Sequence, residues 1–200
     1  MVGQPPFAEG VGRGNRPLLL LAASGLLSAG AAALILTRHR LLAGLPALGA
    51  AAVLFGIALR RRAEGADWLE PASPSETASR VERFAEGILD RVFDACILVP
   101  LAWVSRAGSN VDAFLALAGL GASYVASYER AKSEALGYRG SESVGYRATR
   151  YAALVVGLLT GWLDAALWAF LVLTVAAGAV RAWNVAVQER RSPSPRGTTG

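Results

Sequence analysis

The chain has 200 residues, 54% of them apolar and 18% charged, with a net charge of +5 and a mean hydropathy of +0.39. That length makes one helical bundle and excludes two sizeable domains. Its single cysteine, Cys96, excludes an intramolecular disulfide, and its single histidine, His39, excludes a multi-histidine metal site. The cations are nearly all arginines that flank apolar runs, with Lys132 the only lysine. That is the pattern of a membrane protein and does not call for a nucleic acid partner.

In chain order, residues 1–16 form a loose or interfacial head. Six apolar runs follow, each approaching the roughly 20 residues that a bilayer span needs. They are predicted at about 17–37, 41–60, 84–104, 111–128, 148–165 and 166–188. The first run is too long for a cleaved signal peptide and a second span follows at once. Small residues pepper every span, as close helix packing in lipid requires. Asp164 is expected in the short turn between the last two spans, and the tail, 189–200, is rich in Pro, Ser and Gly and reads as disordered. The expected fold is all-α: an integral membrane bundle of six transmembrane helices over 17–188, a form that allows a homodimer.

Arginine sets the expected topology. With the amino terminus inside, the inner segments hold Arg13, Arg16, Arg60 to Arg62, Arg80, Arg83, Arg130, Lys132, Arg139, Arg147, Arg150, Arg190 and Arg191, against Arg38, Arg40 and Arg106 outside. Both termini then face the cytoplasm. Two charged segments, 60–94 and 128–150, share that side.

Within the first, Glu86, Asp90 and Asp94 stand four residues apart at the head of an apolar run, so on a helix they share one face. Acids entering a hydrocarbon-rich segment are costly and point to function. Acids that merely complement the positive end of a helix are the plainer reading. Pro71 and Pro74, just before, argue for an interrupted helix. The second segment is rich in bases. Carboxylates beside basic groups suit a hard divalent cation and a phosphate.

The stretches LDRVFDACIL (89–98), SYVASYERAKSEALGYRG (123–140) and YRATRYAALVVGLL (146–159) resemble the CDP-alcohol phosphotransferases, closest to their phosphatidylinositol-phosphate synthase branch. The resemblance spans roughly 17–188, and Ser127 to Gly137 is its most specific part. The family signature, D-x2-D-G-x2-A-R-x8-G-x3-D-x3-D, is degenerate here. Asp90 falls on its last aspartate, Glu86 on its third, and Glu82 replaces a glycine. The first half is met either by Asp67 and Glu70 or by Glu64 and Asp67, and the A-R pair is absent.

The resemblance implies a six-helix membrane enzyme of phospholipid biosynthesis with a cytosol-facing cavity. It would move a phosphatidyl group from a CDP-lipid to a polar alcohol or alcohol phosphate, among them inositol phosphate, and release CMP. It implies Mg2+ or Mn2+ on Asp67, Glu70, Glu86 and Asp90, with Asp90 also the general base. It implies that Ser127, Arg130, Lys132, Arg147 and Arg150 grip the acceptor's phosphate. The alternative is a catalytically silent homologue that binds lipid or phosphate, since the D-G-x2-A-R half is not kept.

Overall fold

A computed structural model describes the backbone of residues 15–63, 74–138 and 144–191. Side chains are described over 19–59, 84–85, 87–138 and 146–191. The elements are α1 (Asn15–Leu36), α2 (Arg40–Ala63), α3 (Pro74–Ser105), α4 (Asn110–Ala135), α5 (Val144–Thr160) and α6 (Leu163–Arg191). No strand occurs among the described residues.

Four of these helices, α1, α2, α4 and α6, are long and apolar enough to cross a membrane, which marks the chain as a membrane protein. The other two differ for separate reasons. Helix α5 has only 17 residues. Helix α3 is long, at 32 residues, but carries its charges into its middle. It starts at Pro74, while Pro71 lies outside the described residues. Pro74 opens the helix, at a position where its missing N–H has no intrahelical partner to lose. Pro46 and Pro100 lie inside α2 and α3.

The boundary between the last two helices also falls elsewhere than expected. Helix α5 ends at Thr160 and α6 starts at Leu163, so Asp164 sits in the first turn of α6. The cause is Gly161, whose φ of 80° is left-handed. Its N–H caps the Gly157 carbonyl at 2.9 Å. A glycine in this conformation ends a helix at little cost, even inside an apolar run. The carboxylate of Asp164 then stands where the helix dipole favours it.

The helix contacts close a ring in the order α1, α2, α5, α6, α4, α3 and back to α1. Helix α3 therefore stands across the ring from α5. The interior is filled by Ile35 of α1, Leu54 of α2, Phe93 and Ile97 of α3, Leu115 of α4, Leu158 of α5 and Phe170 of α6. Ser24, Ser28 and Thr174 are buried too, each donating to a carbonyl one turn back in its own helix. Such hydroxyls are satisfied without water.

The outside of the ring is apolar as well. Leu26 is 75% exposed, Phe114 69% and Trp162 76%, and large apolar side chains are exposed on all six helices. A water-soluble protein does not show so much contiguous apolar surface. Buried charge inside and exposed hydrocarbon outside is the arrangement that lipid favours.

Helices α5 and α6 come close at Gly157, where an added Cβ would overlap the Cβ of Ala166. Neither atom can swing away, so the helices themselves must part. Gly157→Ala should lower stability in detergent by about 1–3 kcal/mol. Gly44→Ala meets Cδ2 and Cγ of Leu159, which can turn aside, and its backbone N at 3.3 Å, so α2 and α5 need give by only a few tenths of an ångström. Thermal unfolding of the two variants side by side reads the difference.

Candidate functional site

Asp90 and Asp94 sit one turn apart in the middle of α3 and point into the ring. Asp90 is 3% exposed and Asp94 is fully buried. Ionised carboxylates in such a place need partners, and α4 and α5 supply them. Arg147, Arg150 and Tyr151 project from the first turns of α5 across the ring, and Ser123 comes from the second half of α4.

Asp90 is held through both oxygens. Its Oδ1 accepts a hydrogen bond from the Tyr151 hydroxyl at 2.6 Å. Its Oδ2 pairs with Arg147 Nη1 at 3.2 Å. The Tyr151 ring packs on Phe93 with centroids 4.6 Å apart, which fixes the phenol's direction.

Asp94 gathers three partners on one oxygen. Its Oδ2 accepts from Arg150 Nη2 at 2.9 Å, pairs with Arg91 Nη1 at 3.0 Å, and accepts the Ser123 hydroxyl. Arg91 Nη1 also donates to the Ser123 carbonyl at 2.7 Å and to its hydroxyl oxygen. The Arg150 guanidinium lies 4.8 Å above the Phe170 ring, so α6 supplies a cation–π face to the same group. The result is a polar centre that ties α3, α4 and α5 together, with α6 beneath it.

The predicted site residues are distributed as follows. Asp90, Arg147 and Arg150 meet in this centre. Arg130 lies on α4 and pairs with Glu134 at 2.8 Å, one turn along the same helix. Lys132 is exposed and Ser127 is partly buried, one turn from Ser123 on α4. Thus Arg147 and Arg150 pair with buried carboxylates of another helix, whereas Arg130 pairs within its own helix and Lys132 is exposed. Asp67, Glu70 and the side chain of Glu86 lie outside the described residues.

Three members of the centre, Arg91, Ser123 and Tyr151, have no role in the sequence reading, and Asp94 stands there only as part of the acidic face. A signal existed for two: Asp94 repeats Asp90 at i+4, and Tyr151 repeats Arg147 at i+4.

Among the described residues no three acidic, histidine or cysteine side chains come together. Asp90 and Asp94 alone do not fit a divalent cation. Three guanidinium groups face them, and both oxygens of Asp90 are already engaged. Mg2+ takes carboxylates with room for water or phosphate oxygens.

Away from the centre, Tyr138 donates its phenol proton to Glu189 at 2.6 Å, linking the chain just after α4 to the end of α6. That hydrogen bond to a carboxylate raises the tyrosine's pKa above its ordinary value.

Comparison with protein-family models, with curated proteins and with solved structures returns no match for this chain.

Proposed function

We propose that all six helices cross the membrane, with both termini and the polar centre toward the cytoplasm. The arginine asymmetry supports this orientation, and so does the common level of the charged groups. The middle of α3, the second half of α4 and the first turns of α5 meet there. Reporter fusions at the carboxyl terminus should be active inside the cell. A periplasmic-type signal there sinks the topology.

Within that bundle we propose a phosphotransferase that moves a phosphatidyl group from a CDP-lipid to a polar alcohol. The observation that carries it is the meeting of Asp90 with Arg147 across the ring. The two come from separate stretches of the family resemblance, 89–98 and 146–159, and pair at 3.2 Å. In this reading Asp90 takes the proton of the acceptor hydroxyl. The freed oxygen attacks the lipid-bearing β-phosphorus. The bond from that phosphorus to the bridging oxygen breaks, and CMP leaves with the electron pair. Asp90 must first exchange Tyr151 or Arg147 for the incoming hydroxyl, since a base has to lie within hydrogen-bond reach of its proton. The Mg2+ or Mn2+ requirement is part of this proposal. It rests on Asp67, Glu70 and Glu86.

A second reading has its own support. Both Asp90 oxygens are taken by protein groups, which leaves neither of them open to an acceptor hydroxyl. That favours a catalytically silent homologue whose polar centre holds the bundle together. Purified protein in vesicles containing a CDP-lipid, with Mg2+ or Mn2+ and a panel of alcohols and alcohol phosphates, decides between them. CMP release supports the enzyme. Its absence across the panel, with no CDP-lipid binding, leaves the silent homologue.

A further inference from the structure

Two arginines in the turn between α1 and α2 stand where local structure disfavours them. Helix α1 ends with the Arg38 N–H donating to the Ile35 carbonyl at 3.0 Å and the His39 N–H donating to the Leu34 carbonyl at 2.9 Å. In that closure the residue at position 38 is left-handed, and glycine is its usual occupant. Arg38 takes it with a φ of 65°, alone among the described non-glycine residues, although a side chain there crowds the following carbonyl. Arg40 then opens α2, whose first turn holds no acid. A cation at a helix N-terminus opposes the dipole. The plainer reading of Arg38, a cation that complements the negative end of α1, leaves its backbone strain and the placing of Arg40 unexplained. Backbone strain that persists points to a function.

The turn lies at the end of the bundle away from the polar centre. An added Cβ on Gly161, at the carboxyl end of α5, would lie 3.9 Å from Leu41 Cδ2, whereas the polar centre is held by the first turns of α5. Beside the turn, Trp162 is exposed, as an aromatic residue at headgroup level is. Leu36, Leu41 and Leu42 flank the arginines and are about half exposed, so hydrocarbon surface runs up to the turn. Arg38 is exposed as well. Among the described residues neither arginine pairs with a carboxylate. The acids described at this end, Asp112 and Asp164, sit in the first turns of α4 and α6, where their own helix dipoles favour them.

We propose that Arg38 and Arg40 bind the phosphate of an anionic phospholipid in the leaflet at this end of the bundle. A guanidinium is a fork of N–H donors that fits phosphate oxygens, and it gains further from the negative potential of anionic lipid. The exposed leucines at the same turn suit acyl chains, which a soluble anion lacks. The site needs the bundle in lipid and nothing from the transfer reaction.

Native mass spectrometry of the purified full chain, titrated in detergent with phosphatidylglycerol or with phosphatidylcholine of the same chains, tests it. The wild type should retain phosphatidylglycerol about fivefold more tightly or better, the effect of one arginine beside an anionic surface. Arg38→Gly and Arg40→Ala should each weaken phosphatidylglycerol about fivefold and leave phosphatidylcholine unchanged. In lipid-free detergent Arg38→Gly should also melt about 2–4 °C higher, because the backbone strain is relieved. That opposite pair of effects separates a binding role from a folding role. Equal retention of the two lipids overturns the proposal. So does an Arg38→Gly protein that holds phosphatidylglycerol as the wild type does, or that melts lower. Inorganic phosphate that displaces phosphatidylglycerol at matched concentration assigns the turn to a soluble anion and overturns the lipid.

Discussion

Asp94→Ala should destabilise the bundle by about 3–5 kcal/mol, the range for removing one partner of a buried ion pair. The cost comes from what is left behind. Arg150 loses its carboxylate in a place where its side chain is only 9% exposed, and Arg91 loses the same group at 3.0 Å. Ser123 loses the acceptor of its hydroxyl. Unfolding followed in detergent by denaturant or heat reads the effect. A companion double variant, Asp94→Leu with Arg150→Met, should recover most of the loss, since matched apolar replacements of a buried pair are often neutral. Arg91 keeps the Ser123 carbonyl in that variant. The partly exposed pair Arg130–Glu134 gives the contrast, because an i,i+4 pair of this kind contributes only about 0.3–0.5 kcal/mol. If Asp94→Ala costs no more than Glu134→Ala, the centre is not what holds α3, α4 and α5 together.

The helices of this chain are legible where hydropathy is strong. The first, second and fourth apolar runs become α1, α2 and α4 within a few residues at most ends. Helix α3 begins at Pro74, about ten residues ahead of its apolar run at 84–104, because its first half is polar and a hydropathy reading does not see it. The spacing of Glu86, Asp90 and Asp94 marks a helical face only from residue 86 onward, where acids at i, i+4 and i+8 fall on one side of a helix. The turn at Gly161 is hidden for the opposite reason. It lies in an unbroken apolar stretch, and only its left-handed φ ends α5 there.

The site is legible in its members more than in its pairings. Asp90, Arg147 and Arg150 can be named from the sequence. Whether an arginine at such a position faces a phosphate or a carboxylate depends on what stands across the ring. That is a property of the helix order, which puts α5 opposite α3. Arg150 on Asp94 is the result. Ser123 and Ser127 illustrate the same limit. They lie one turn apart on α4, and only the register of α4 against α3 selects Ser123 for Asp94.

If the chain is the proposed phosphotransferase, Asp90→Asn should lower the rate of CMP release by about 10²–10⁴-fold, the contribution of a general base. The amide keeps the shape of the carboxylate. Its oxygen still accepts from Tyr151 or Arg147, but it cannot take the acceptor's proton. Binding of the CDP-lipid should fall far less, because proton abstraction takes no part in holding the donor. The variant is also a milder structural change than Asp94→Ala. Arg147 keeps a hydrogen-bond acceptor, and its side chain retains 14% exposure to share with solvent. A rate loss with unfolding midpoints near those of the wild type assigns the loss to chemistry. Tyr151→Phe separates the two roles of Asp90 further. It removes the 2.6 Å hydrogen bond from a fully buried phenol, leaving the carboxylate on Arg147 alone and freer to meet a hydroxyl. In an active enzyme this variant should keep or raise the rate of CMP release, because one of the two groups that must give way to the acceptor hydroxyl is gone. If wild type, Asp90→Asn and Tyr151→Phe all release no CMP, and Asp90→Asn alters stability alone, Asp90 is a structural acid and the proposed transfer reaction is excluded.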